Sequence, residues 1–228
     1  ELLVARHEIV NLPSASVLDA LRRDRPPRAG DGANVAVLAD PVFEVSDPRV
    51  HGRRGSPAAV VASVDRRTAN ITRGGGLGRL PFSRDEATAI ASLVPRGHVF
   101  LATDFRASRA TAVSGMLRGY SVVHFATHGV FDAASPAMSG LVLSLVDEQG
   151  APQNGFVRLN DIYTMRLDAD LVILSACRTA LGQEIRGEGL VGIARAFMHA
   201  GAPRVIASLW QVSDVATAEL MKRFYRGL

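Results

Sequence analysis

Val122-Val123-His124-Phe125-Ala126-Thr127-His128-Gly129 is a short apolar run that closes on a histidine and a glycine. Too brief for a helix and led by two valines, it predicts a buried β-strand ending in Thr127-His128-Gly129. Leu171-Val172-Ile173-Leu174 is a second such run and leads into Ser175-Ala176-Cys177-Arg178-Thr179. Working outward, Val35 to Ala39, Val99 to Ala102 and Val205 to Trp210 read as further buried strands, the first stopped by Asp40-Pro41. Strands that are apolar along their whole length suit a parallel sheet covered on both faces.

Helical stretches alternate with these runs. Ser83 stands three residues before Glu86, a capping box for a helix carrying Ala87, Ile90, Ala91 and Val94. Ser108 to Leu117 is amphipathic, Asn160-Asp161 can cap a short helix, and Leu190, Ile193, Ala194, Phe197 and Met198 share one face of a helix that stops near Gly201 and Pro203. Ser213-Asp214 offers an N-cap for a last helix bearing Leu220, Met221, Phe224 and Tyr225. The alternation predicts an α/β fold, a mostly parallel sheet sandwiched by helices. A strand at 8–12, a helix from Pro13-Ser14 and the strand at 35–39 predict an N-terminal α/β lobe over residues 1–81. Its segment 41–81 is irregular and rich in Pro, Gly, Arg and Ser. Residues 82–228 then form the lobe that carries the chemistry.

At 228 residues, with 47% hydrophobic and 21% charged side chains, the composition is that of a globular protein. No stretch approaches the roughly 18 apolar residues of a membrane helix. A single cysteine excludes an internal disulfide framework and suits a reducing cytoplasm. The chain opens at Glu1 without a signal-like leader, as a piece of something longer would. The net charge of +4 is almost all arginine, since Lys222 is the only lysine. These arginines are scattered and lack interleaved aromatics, which argues against direct nucleic-acid binding.

In open α/β sheets ligands collect at the carboxyl ends of strands, so the two runs could bring the His128 imidazole and the Cys177 thiol to one crevice. That pair is the basis of cysteine-protease chemistry. Cys177 would attack, His128 would act as base and then acid, and the backbone N–H groups of Gly129 and Cys177 would receive the oxyanion. Glycine at 129 permits close approach of the backbone and an unusual φ. His128 precedes Cys177 by 49 residues, close to the spacing of about 50 that caspases keep before an Ala-Cys-Arg nucleophile.

Beyond the dyad, the chain resembles the CHAT domains, bacterial relatives of caspases and separase. The resemblance rests on His124-Phe125-Ala126-Thr127-His128-Gly129, Leu174-Ser175-Ala176-Cys177-Arg178-Thr179-Ala180-Leu181-Gly182, Gly187-Glu188-Gly189-Leu190, Ala196 to Ala202, and Ala207-Ser208-Leu209-Trp210-Gln211-Val212-Ser213-Asp214. Weaker likeness reaches from Leu12 to Tyr225. The resemblance implies a caspase-like fold, a His128–Cys177 dyad, hydrolysis of a protein substrate without metal or organic cofactor, and a regulatory upstream domain or partner. It also implies a role in bacterial immunity such as antiphage defence. The Leu-Trp-x-Val-x-Asp run is similar to one in separase whose acid lines an arginine pocket, so Asp214 is a candidate for substrate binding at a basic P1 residue. The other reading of Asp214 is a helix N-cap.

Rival readings are weaker. His124 lies inside an apolar run and reads as a packed core histidine. His124, His128 and Cys177 lack the spacing of a zinc site. Gly187-Glu188-Gly189-Leu190-Val191-Gly192 fits G-x-G-x-x-G, but it stands about a dozen residues after its strand, too far for a dinucleotide turn. The loop 183–189 and the segment 41–80 read as switch elements. A catalytically silent, caspase-like scaffold that binds a partner is the alternative function.

Overall fold

The five residues Val35–Ala39 (β1) are buried from end to end, because β1 lies between two parallel neighbours. Val99–Thr103 (β2) pairs it on one side and Val122–Ala126 (β3) on the other. Leu171–Leu174 (β7) and Val205–Ala207 (β9) extend the sheet in the order β2-β1-β3-β7-β9, with every neighbour parallel. The structure is a computed structural model that describes residues 34–52, 77–131, 136–175, 177–180, 188–208 and 213–228. The expected elements at 8–12 and from Pro13, the residues 53–76, the loop 181–187 and residues 209–212 lie outside the described residues. β1 comes from the stretch assigned to the N-terminal lobe, yet it is a central strand of the same sheet as β3 and β7.

Successive strand side chains point to opposite faces, and the core divides accordingly. Ala36, Leu38, Val123, Phe125, Val172 and Leu174 share one face with Ile193, Ala196 and Phe197 of the helix Glu188–His199 (α4), and with Leu159 and Ile162 of Leu159–Thr164 (α3). Phe125 and Phe197 meet with ring centroids 5.6 Å apart. Val35, Val37, Ala39, Val122, Ala126, Leu171 and Ile173 face Ala87 and Ile90 of Pro81–Leu93 (α1) and Met221 and Tyr225 of Asp214–Arg226 (α5). The sheet is thus sandwiched by helices, as its unbroken apolar runs predict.

A second sheet lies where the sequence shows only an insertion or a hairpin, Leu141-Val142-Leu143 followed by a turn region from Asp147 to Gly155. His128–Phe131 (β4), Gly140–Val142 (β5), Phe156–Arg158 (β6) and Cys177–Ala180 (β8) pair in the order β6-β5-β4-β8, antiparallel except for β4 with β8. His128 and Cys177 therefore do not cap the ends of β3 and β7. Each opens a new strand. The register carries across the junction, since Phe125 faces Leu174 in the first sheet and His128 faces Cys177 in the second, both pairs 49 residues apart.

The helix starts also depart from expectation. α1 begins at Pro81, whose missing N–H costs nothing there, with Leu80 rather than Ser83 at the N-cap. Ser83 Oγ instead donates to the Leu80 carbonyl at 2.6 Å and accepts from the Asp40 N–H at 3.1 Å, and Glu86 turns into the core. The stretch from Ser108 gives a helix only over Arg109–Val113 (α2), capped by Ser108 Oγ accepting from the Thr111 N–H. α3 begins at Leu159, and Asp161 Oδ2 accepts from the Arg158 N–H at its start. α4 ends at Gly201, with φ of 110°. A Cβ there would stand 2.0 Å from the Leu167 carbonyl oxygen, so the close chain crossing requires glycine.

Candidate active site

Thr127 is the single residue between β3 and β4, and its buried hydroxyl donates to the Val142 carbonyl on β5, fixing the step between the sheets. His128 follows, buried and tilted against the Phe43 ring at a centroid distance of 5.0 Å. Its Nε2 lies 2.7 Å from the Gly78 carbonyl oxygen. A carbonyl can only accept, so Nε2 carries the proton and Nδ1 keeps its lone pair. Nδ1 is buried and has no hydrogen-bond partner among the described residues. Burial holds the imidazole below its ordinary pKa, outweighing the Gly78 bond, which favours the protonated ring. His128 is therefore a neutral base near pH 7 with one acceptor nitrogen available.

Cys177 is the register partner of His128 on the parallel strand β8. Adjacent strands run about 4.8 Å apart. The geometry thus brings positions 128 and 177 together. Gly129 is registered between Leu141 on β5 and Arg178 on β8. It is absent from the glycines with positive φ, so the unusual backbone expected of it gives way to strand geometry imposed by two flanking ladders.

The segment 77–82 organises one side of the site. Leu77 is buried with Phe43, Val130 and Phe156, Gly78 holds His128, and Arg79 makes a two-pronged contact with Asp40, Nε to Oδ1 at 2.9 Å and Nη2 to Oδ2 at 2.8 Å. Asp40 is fully buried at the carboxyl end of β1 and also receives Arg84 Nε at 2.6 Å. Arg49 Nη1 donates to the Asp40 carbonyl at 2.8 Å and to Asp104 Oδ1 at 2.7 Å. Burial resists the charge on Asp104, but its bonds from Arg84 and Arg49 win and hold the carboxyl below its ordinary range. Such buried clusters are costly to break from one side.

Asp214 is the first residue of α5, and its Oδ2 accepts from the Phe82 N–H of α1 at 3.0 Å. It therefore caps a neighbouring helix rather than its own. Ser213, at the N-cap of α5, makes no side-chain cap bond. Burial pushes the Asp214 carboxyl up, helped by the negative charges of Glu86, Asp40 and Asp85 and opposed by the Phe82 bond. The sequence reading missed Gly78 and Asp40. A backbone carbonyl has no sequence signature, and the sequence showed that segment only as irregular and rich in Pro, Gly, Arg and Ser.

All of residues 1–228 match the CHAT domain. The chain belongs to the CHAT domain family. CHAT domains are caspase-like and often cysteine peptidases, and the parallel five-stranded sheet between helices agrees with that fold. This CHAT domain is also similar to tetratricopeptide repeat protein 28 of Mus musculus, 38% identical over 68 residues. The matched stretch is 30% of this chain and spans 3% of that much longer protein. Among the described residues no group of three or more His, Cys, Asp and Glu could hold a metal, and no helix is long and apolar enough to cross a membrane.

Proposed function

We propose that this CHAT domain is a cysteine endopeptidase whose nucleophile is Cys177 and whose base is His128 Nδ1. The observation that carries the reading is the registered pairing of the two positions on parallel strands, beside a histidine whose other nitrogen is already committed to Gly78. Nδ1 takes the thiol proton as sulfur bonds to the scissile carbonyl carbon, and the carbonyl π pair moves onto oxygen, with the Cys177 N–H as an oxyanion donor. The tetrahedral adduct collapses, the C–N bond breaks, and the amine leaves with the proton from the imidazolium. Water, deprotonated by the same nitrogen, then hydrolyses the thioester and restores the thiol.

The substrate is a protein cleaved after a basic P1 residue. Asp214, whose carboxylate stands at the junction of α1 and α5 and accepts there from the Phe82 N–H, is the proposed partner of the P1 cation. An upstream domain or partner protein controls access, and the family likeness supports work in a bacterial cytoplasm.

The test is hydrolysis of fluorogenic peptides with Arg, Lys, Asp or Met at P1, with and without the upstream region. Turnover of the Arg and Lys peptides that disappears in Cys177→Ala and His128→Ala supports the reading. Full turnover by Cys177→Ala overturns it. Partner binding that survives both substitutions, in a chain that cleaves nothing, identifies a scaffold instead.

A further inference from the structure

Four polar side chains, from three elements and from the link between β7 and β8, meet inside the apolar layer between the sheet and helices α1 and α5. Glu86 of α1 is 1% exposed and His124 of β3 is fully buried. Glu86 Oε2 accepts from Ser175 Oγ at 3.1 Å, and Glu86 Oε1 stands 2.7 Å from His124 Nε2, off the axis of a hydrogen bond. On the other side of the ring, His124 Nδ1 lies 3.1 Å from the Tyr225 hydroxyl of α5. Burial, joined by the negative charge of Glu86, pushes the Tyr225 phenol well above its ordinary range, so the phenol keeps its proton.

No step of the peptidase chemistry uses these groups, and burying a carboxylate in an apolar layer is costly. Their placement gives them a task. Ser175 is two residues before Cys177, and His124 is four residues before His128. Between these anchors and the dyad both chains leave the first sheet and enter the second, the place where one could slip against the other.

We propose that Glu86 is a positioning residue that fixes the start of β8, and with it Cys177, against the strand that carries His128. One oxygen holds Ser175, the other faces His124, and the carboxylate spans the two chains where they change sheets. The link to turnover rests on the peptidase reading, whereas the effect on β8 does not.

The experiment compares the full chain with Ser175→Ala, Ser175→Thr and Glu86→Gln, first by amide hydrogen exchange. Ser175→Ala removes the donor, and Ser175→Thr keeps it. In Ser175→Ala, exchange at Cys177–Ala180 rises about tenfold while β1 is unchanged, the loss expected of one buried hydrogen bond to a charged group, and Glu86→Gln, which keeps an acceptor but loses the charge, raises it by less. On a cleavable peptide kcat falls about tenfold with KM within about twofold, because the defect is in alignment and not in binding. Ser175→Thr restores both. If Ser175→Ala folds and leaves β8 exchange unchanged, or raises it equally in β1, the positioning role is overturned. If Glu86→Gln does not fold, the serine pair decides. A wild-type chain that cleaves no peptide counts against the peptidase reading alone, and the exchange measurement still decides whether Glu86 holds β8.

Discussion

His128 Nε2 and the Gly78 carbonyl oxygen are 2.7 Å apart, a bond that reaches across 50 residues and leaves Nδ1 as the only acceptor nitrogen of a buried ring. Main-chain oxygen cannot be removed by substitution, so the ring's tautomer depends on where the chain runs.

The first consequence is a pH dependence of stability. The folded-state pKa of His128 lies below the ordinary 6.5, so the unfolded chain binds a proton more readily than the folded one. Its contribution is complete above about pH 6.5 and is lost as the pH falls through the lowered value. Asp47, Asp104 and Asp161, all held below 3.8, act only in stronger acid. Urea unfolding between about pH 7 and pH 5 should show declining stability in the wild type and a flatter profile in His128→Gln. Equal slopes would exclude His128 as the source.

Asp40 tests the support behind Gly78. Asp40→Ala strips a fully buried acceptor from Arg79, Arg84 and Arg49 and should cost about 3 kcal/mol or more in chemical denaturation. Arg79→Gln leaves Asp40 with two other arginines. It should cost less than about 1 kcal/mol, since the Arg79 side chain is 38% exposed. A large loss in Arg79→Gln would mean that the cluster acts as one indivisible unit.

Two substitutions at position 214 separate its structural and recognition roles. Asp214→Asn keeps an acceptor for the Phe82 N–H and should leave stability within about 0.5 kcal/mol. It should abolish the preference for Arg or Lys over Met at P1. Asp214→Ala removes the cap as well and should cost about 1 kcal/mol. A basic preference that survives Asp214→Asn removes this residue from the substrate pocket.

Gly140 tests the second sheet. An added Cβ would stand 2.1 Å from the Val157 carbonyl oxygen, a backbone atom of the neighbouring strand β6. Gly140→Ala should cost more than about 2 kcal/mol in thermal or urea unfolding, as overpacking against an immovable neighbour does.

The parts of the fold that were legible are those where burial alone writes the pattern. Val35–Ala39, Val122–Ala126 and Leu171–Leu174 are buried throughout, and apolar but for His124, because helices cover both faces of their sheet. The second sheet showed only as an insertion or hairpin around Leu141-Val142-Leu143, because its strands are three or four residues long and include Gly129, Gly140 and Arg158, too short for any alternation to show. Ser83 and Glu86 matched a capping box, but Pro81 started the helix earlier and the carboxylate found a better partner in Ser175. His128 and Cys177 could be named because their residue types and spacing carry chemistry. Gly78 contributes only a carbonyl, and every residue has one.

The common offset of 49 shared by Phe125–Leu174 and His128–Cys177 sets where this chain tolerates changes in length. One residue added between Leu174 and Cys177 would break that offset, shift position 177 out of register with His128 and separate the proposed nucleophile from its proposed base without altering either residue.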